Sequence, residues 1–352
     1  MSIGRIGTTV SLLLAAVQAF AELPDREFVE HVEARIESGE YVGLIVGFID
    51  GDDTYVQAFG TISKESDTAP NERTIFEISS VAKTFTATLL AKAAMGETLA
   101  LDDPANRYLA PDATLEPFEG RNISLLDLAA HQSGLPYMPE SMTPRDPPNP
   151  YAHTTRSDLR AAINAFVPTT RPGTGYSYSA FAYGVLALIL EGVYDEDFFT
   201  LVEREVTAPL GMRDTVLTLN EEQASRLATG YTPEGDVAVP FDQGVFRAAG
   251  SMYSSLNDLM VWLGANMTPE LSPMADALGL AQEIHNELGT IALTWHRTEG
   301  FDERSQFGTA NGYRAYVGFL ADGSKGAVLL ANTRPDIEAL GNHLILGTDL
   351  PK

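Results

Sequence analysis

Ser80 and Lys83 stand three residues apart in the run Ser80-Val81-Ala82-Lys83. On a helix that spacing places two side chains on one face, about 5 to 6 Å apart. A serine hydroxyl is a weak nucleophile by itself. An amine whose pKa is brought toward neutrality by loss of water, or by a neighbouring cation, can take the hydroxyl proton and activate it. Val81, Phe85, Leu89 and Leu90 make the surroundings apolar, and the N–H of Ser80 near a helix start would face a developing oxyanion. The chemistry this implies is acyl transfer. Alone, the pair reads more simply as an N-capping serine followed by an exposed lysine, so its meaning depends on what the chain places around it. Other chemistries lack their residues. The histidines, His31, His131, His153, His285, His296 and His343, include no His-Glu-x-x-His pair, and no cysteine is present to hold zinc, form a disulfide or act as a thiolate. No Gly-x-Ser-x-Gly elbow or phosphate-binding glycine loop occurs either.

The elements that must position the pair follow from periodicity. Phe28, Val29, Val32 and Ile36 recur at helical spacing and stop at Gly39, which predicts a helix over 25–38. Two runs rich in β-branched and aromatic residues, Tyr41 to Ile49 and Thr54 to Ile62, flank Asp50-Gly51-Asp52-Asp53 and predict a hairpin. Thr74 to Ile78 reads as a short strand feeding a helix from about Ser80 to Ala94, closed by Gly96. Helical patterns dominate from about 100 to 265, broken by the proline-rich stretch Tyr137 to Thr154, a candidate cleft wall. Strand character returns at Thr290 to His296, Tyr313 to Leu320 and Gly326 to Ala331, with a turn at Asp322-Gly323 and a final helix from Pro335 to Leu346. Strands at both ends around a helical middle predict an α+β fold. One antiparallel sheet is assembled from the two chain ends, flanked by the terminal helices and abutting a mostly helical region. The expected division is 22–95 with 270–352 for the sheet part and 96–269 for the helical part, with a cleft where they meet.

The run Thr74 to Thr86, TIFEISSVAKTFT, closely resembles the nucleophile segment of the serine β-lactamase family of class C type, which also contains D-alanyl-D-alanine carboxypeptidases and family VIII carboxylesterases. The resemblance continues in order along most of the chain. His131-Gln132-Ser133-Gly134-Leu135-Pro136, Pro209-Leu210-Gly211-Met212-Arg213-Asp214-Thr215, Ala248 to Ser255 and Leu329-Leu330-Ala331-Asn332 each resemble a family landmark. It implies the β-lactamase/transpeptidase-like fold, Ser80 as nucleophile, Lys83 beside it and no metal or organic cofactor. The family's Tyr-x-Asn motif falls on Tyr178-Ser179-Ala180, so Tyr178 is the implied catalytic tyrosine and Ala180 stands where asparagine is usual. Its Lys- or His-x-Gly motif falls on Gln306-Phe307-Gly308, followed by Thr309 and Asn311. The N–H groups of Ser80 and Thr309 are then the implied oxyanion donors, and Gly308 admits substrate close to the backbone. Gln306, Gly308, Ala180 and Asn311 are the expected substrate-binding positions. Gln306 can give a hydrogen bond but no full charge. Arg314 is either a replacement for that charge or a surface arginine. His131 is expected to be a structural turn residue. Whether Lys83 or Tyr178 is the principal base stays open at this level.

The two departures bear on substrate. A site without the amide and the cation that hold peptide-like, carboxylate-bearing substrates loses least on a small neutral ester, which raises an esterase-like activity over hydrolysis of β-lactams or D-alanine-terminated peptides. A non-catalytic penicillin-binding-like sensor is the rival outside the enzymes. The bulk numbers narrow the setting. Arg5, the apolar stretch Val10 to Val17 and Ala19-Phe20-Ala21 read as a secretory signal covering 1–21, which predicts an exported protein, periplasmic or secreted, without stable membrane insertion. The formal charge of −25 repels phosphate backbones and anionic lipid surfaces, so the expected partner is a small ester, amide or peptide substrate and not nucleic acid.

Overall fold

In chain order the strands are β1 (Gly43–Asp50), β2 (Asp53–Gly60), β3 (Ile75–Glu77), β4 (Tyr253–Ser255), β5 (Glu303–Thr309), β6 (Arg314–Leu320) and β7 (Lys325–Ala331). The structure, a computed structural model, describes residues 23, 25–285 and 289–351; the expected processing segment 1–21 lies outside them. β1, β2, β5, β6 and β7 form one antiparallel sheet in the order β2-β1-β7-β6-β5. The two chain ends meet at its centre, where Val46 of β1 stands opposite Leu329 of β7. β1 and β2 turn tightly through Gly51 and Asp52, with Asp50 opposite Asp53. Gly51 takes a φ of 61° there, a conformation that glycine adopts without steric penalty. β3 and β4 pair separately, Phe76 opposite Ser254.

Two layers of helices cover the sheet because β1, β6 and β7 are apolar on both faces. Ala327, Leu329 and Ala331 point toward α1 (Arg26–Glu37) and α10 (Ile337–Leu346), joining Phe28, Val32 and Leu340 in one core. Val328 and Leu330 point the other way, into the larger core with Phe85, Trp262 and Val317. That second core draws on α2 (Ala82–Met95), α3 (Leu125–Ala129), α4 (Arg156–Ala165), α5 (Ala180–Tyr194) and α6 (Phe198–Val202), skips the polar α7 (Glu221–Ser225), and continues with α8 (Leu256–Met267) and α9 (Ala275–Gln282). α2 is buried on nearly every side, Lys83 included, as expected for a helix apolar all round. Trp262 of α8 packs its ring 4.6 Å from that of Phe85 and donates its indole N–H to the Thr84 hydroxyl at 3.1 Å.

One expected strand is absent. Thr290 to His296 forms only isolated bridges, Ile291 to His296 and His296 to Ser305, because Thr294 sits at a φ of 69° and folds the segment back on itself. The edge beyond β6 is instead β5, whose last four residues, Gln306 to Thr309, belong to the stretch singled out in sequence for its motif.

Candidate active site

Ile78, Ser79 and Ser80 turn from β3 into α2. Ser79 holds a φ of 43°, sparsely populated for a residue with a β carbon, and its hydroxyl donates to the carbonyl of Thr309 at 2.8 Å. That bond ties the nucleophile turn to the edge of β5. Gly308 is what lets the strand come so near, since a β carbon there would lie 2.1 Å from the Ile78 carbonyl oxygen and 2.9 Å from the Ser80 nitrogen. Ser305 exchanges backbone hydrogen bonds with His296 on the side away from β6. By the alternation of a strand, Phe307 and Thr309 turn their backbone groups to that same open edge. The Thr309 N–H therefore faces the turn carrying Ser80.

Ser80 is half-buried, whereas Lys83 is 1% exposed. Their side chains meet, Nζ to Oγ, at 3.0 Å. Lys83 also donates to the carbonyl of Ala249 at 2.5 Å, and its nitrogen lies 4.8 Å from the ring centre of Tyr178 and 5.5 Å from that of Tyr183. Burial alone lowers its pKa to about 7, because desolvation disfavours the ammonium. With one N–H held by Ala249, a neutral amine can point its lone pair at the serine hydroxyl.

Tyr178 comes from an extended stretch leading into α5. Ser179 caps that helix, its hydroxyl accepting from the Ala182 N–H at 2.9 Å and donating to the Pro136 carbonyl at 2.7 Å. Ser177 and Ser179 face His131: the His131 carbonyl accepts from Ser177 N–H at 2.7 Å and Nδ1 accepts from Ser179 N–H at 3.2 Å. The ring proton of His131 is thereby assigned to Nε2. Burial first, then Lys83 and His296, hold this imidazole well below its ordinary pKa and hence neutral. Its ring lies 4.4 Å from that of Tyr178. Burial pushes the Tyr178 phenol well above its usual value, against the opposite pull of the Ser80 hydroxyl that it hydrogen-bonds. Tyr178 is a neutral phenol in this setting.

Ser80, Lys83, Tyr178, Gly308 and Thr309 are thus brought together. The remaining expected positions have other company. Gln306 is fully buried, its amide nitrogen donating to the carbonyl and hydroxyl of Thr294 at 3.2 and 2.8 Å and its oxygen accepting from Phe307 N–H at 3.0 Å. It faces protein, not a cleft, because its face of the strand is the packed one. Asn311 donates to the carbonyls of Pro148 and Val239, each at 3.1 Å, and so fastens the proline-rich loop to the sheet. Ala180 is the first residue of α5, buried, with its N–H on the Tyr137 carbonyl at 3.0 Å. Arg314 lies on the α10 side of the sheet, where it counters the raised pKa of Glu338.

Several residues went unnoticed in sequence. The Ala249 carbonyl has no side-chain signature. Tyr137 stacks 6.3 Å from Tyr178 and remains 53% exposed, an aromatic surface beside that tyrosine. Tyr176 shares a side of the extended segment with Tyr178, and the Tyr-x-Tyr spacing was a usable signal. His296 carried none.

A serine meeting a desolvated lysine at the junction of an antiparallel sheet and a helical block defines the class as a serine hydrolase. The chain belongs to the beta-lactamase family, whose profile matches residues 28–349. A solved class C beta-lactamase superposes with a TM-score of 0.79 over 93% of this chain and 97% of its own, at 22% identity. The D-alanine carboxypeptidase AmpC of Burkholderia cenocepacia gives 0.75 over 92% and 98%, at 25% identity. The fold is therefore β-lactamase/transpeptidase-like. In sequence, the D-alanyl-D-alanine-carboxypeptidase/endopeptidase AmpH of Escherichia coli K12 is 26% identical over 264 residues, which are 71% of this chain and 65% of that protein. A beta-lactamase of Pseudomonas fluorescens is 26% identical over 357 residues, 90% of this chain and 96% of its own.

Proposed function

We propose that this chain hydrolyses small uncharged carboxylic esters, and amides more slowly, through an acyl-enzyme on Ser80. The observation that carries the reading is the Lys83 amine, 3.0 Å from the serine oxygen and brought to about 7 by burial. Near neutral pH a large fraction of it is a free base. Lys83 takes the Ser80 proton as the oxygen attacks the carbonyl carbon, and the Ser80 and Thr309 N–H groups hold the oxyanion. The bond to the leaving alkoxide breaks, Tyr178 passes it a proton and is itself reprotonated from the Lys83 ammonium. Water, deprotonated by Lys83, then attacks the acyl-serine, releasing the acid and returning the proton to Ser80. Lys83 is the principal base in this scheme, since the Tyr178 phenol is pushed upward by burial and Gln306 brings no second cation to stabilise a phenolate.

The preference for neutral substrates rests on the same inward-turned Gln306, on Ala180 in place of a side-chain amide and on the exposed Tyr137 ring. A second reading, hydrolysis of β-lactams or D-alanyl-terminated peptides, is favoured by the names of the Pseudomonas relative for the first and of the Escherichia and Burkholderia relatives for the second. Export rests on the signal-like residues 1–21; among the described residues no helix is long and apolar enough to cross a membrane. The deciding experiment compares wild type with Ser80→Ala for p-nitrophenyl butyrate turnover and for labelling by a fluorescent penicillin. Ester turnover lost in the variant supports the ester reading, and Ser80-dependent penicillin labelling without ester turnover moves the substrate to the second. Silence in both assays overturns an enzymatic role.

A further inference from the structure

Tyr176 and Tyr178 leave the extended segment on one side, and both meet the imidazole of His296. The Tyr176 hydroxyl lies 2.7 Å from His296 Nε2. The His296 ring stands nearly parallel to that of Tyr178, centres 6.2 Å apart at 28°. The imidazole is held by the sheet, because His296 N–H donates to the Ser305 carbonyl at 2.9 Å and its own carbonyl accepts from Ser305 N–H at 3.0 Å. Phe307 of β5 backs it, ring centres 6.2 Å apart. The Tyr178 ring also meets that of His131, centres 4.4 Å apart. Tyr178 thus touches two imidazoles, one anchored in the helical block and the other tied by backbone hydrogen bonds to the edge strand. With Gln306 engaged by Thr294, no second cation among the described residues fixes the phenol by charge, and placement falls to these neutral contacts.

We propose that His296, oriented by the Tyr176 hydroxyl, is a positioning residue that holds Tyr178 in line to hand a proton to the leaving group, so that this pair selects for substrates with poor leaving groups. The idea rests on the proton-relay part of the function proposed above. His296 suits the task as a neutral ring, its pKa lowered to about 4 by burial, with the Ser305 backbone raising it and Lys83 lowering it. A charged imidazole beside Lys83 would repel the ammonium that forms during catalysis.

The test compares an ethyl ester with the p-nitrophenyl ester of the same acid, because an ethoxide needs a proton to leave and a nitrophenolate does not. Tyr176→Phe and His296→Phe keep the rings and remove the hydrogen bond. They are expected to lower kcat on the ethyl ester about tenfold, a fraction of a full general-acid contribution, with KM and the p-nitrophenyl rate within about twofold of wild type. His296→Gln, which sets an amide nitrogen near the place of Nε2, is expected to recover most of the loss. In a Tyr178→Phe background Tyr176→Phe should have no further effect. Equal losses on both esters, no loss, or additivity with Tyr178→Phe overturns the positioning role. A Tyr178→Phe enzyme that keeps full activity on the ethyl ester sinks the relay instead. Crystal structures of Tyr176→Phe and His296→Phe supply a readout independent of turnover: the Tyr178 ring should shift from the Ser80 hydroxyl, and an unmoved ring overturns the proposal.

Discussion

Lys83 sets the pH behaviour at the scale of single residues. Its folded pKa of about 7 lies below the ordinary value of 10.5, so between those limits the unfolded chain holds a proton that the folded one has released. Stability then rises with pH across that window and carries the full penalty of burying the ammonium below it. Lys83→Met should therefore melt above wild type at pH 6, by an amount on the order of a few kcal/mol, and the gap should narrow toward pH 10. Thermal melts at the two pH values check this. The same amine must be neutral to act as a base, so kcat/KM should climb with pH along a limb centred near 7. A flat profile from pH 5 to 9 would remove Lys83 from the base's role.

At the scale of elements, the site exists because β5 lies against the turn between β3 and α2. Gly308 is the contact point, and a methyl group there meets backbone atoms that cannot rotate away. Gly308→Ala should cost about 1 to 3 kcal/mol from overpacking and lower kcat/KM roughly a hundredfold, the scale of losing one oxyanion donor. Circular dichroism should stay near wild type. Gly264 offers the contrast, for it lies inside α8 with nothing within 4 Å of an added β carbon. Gly264→Ala should raise stability by about 0.5 to 1 kcal/mol through helix propensity, with activity unchanged. A denaturant titration of both variants separates close approach from mere flexibility.

Across the whole molecule, the sheet closes only when residues near 45 pair with residues near 330, and one large core joins the sheet to the helical block. Trp262 and Trp295 are both fully buried in that core, so their fluorescence and the far-ultraviolet signal should change in one transition. An excess of 25 negative charges repels itself in the compact state, and salt screens that repulsion. The melting temperature should rise by a few degrees between 10 mM and 500 mM sodium chloride at pH 8. A fall over that range would mean that attractive ion pairs outweigh the repulsion.

The sequence by itself determined what local rules reach. Apolar periodicity announced α1, α2 and the first hairpin, and the Ser80 to Lys83 spacing needed only helix geometry to bring an amine to a hydroxyl. Tyr178 was legible through the resemblance of Tyr178-Ser179-Ala180 to the family's Tyr-x-Asn motif. Tertiary structure decided whatever depends on contacts between distant segments. No pattern in one strand tells that Gln306 turns toward Thr294, that Asn311 fastens the loop at Pro148, or that the Ala249 carbonyl orients Lys83. The amine's burial, and with it the pKa near 7, arises from α2 being enclosed on all sides. Thr290 to His296 has the composition of a strand, yet Thr294 in a left-handed conformation folds it back and leaves the sheet edge to β5. Propensity is a local energy of a fraction of a kcal/mol per residue. Burial and pairing across two hundred residues outweigh it wherever they conflict.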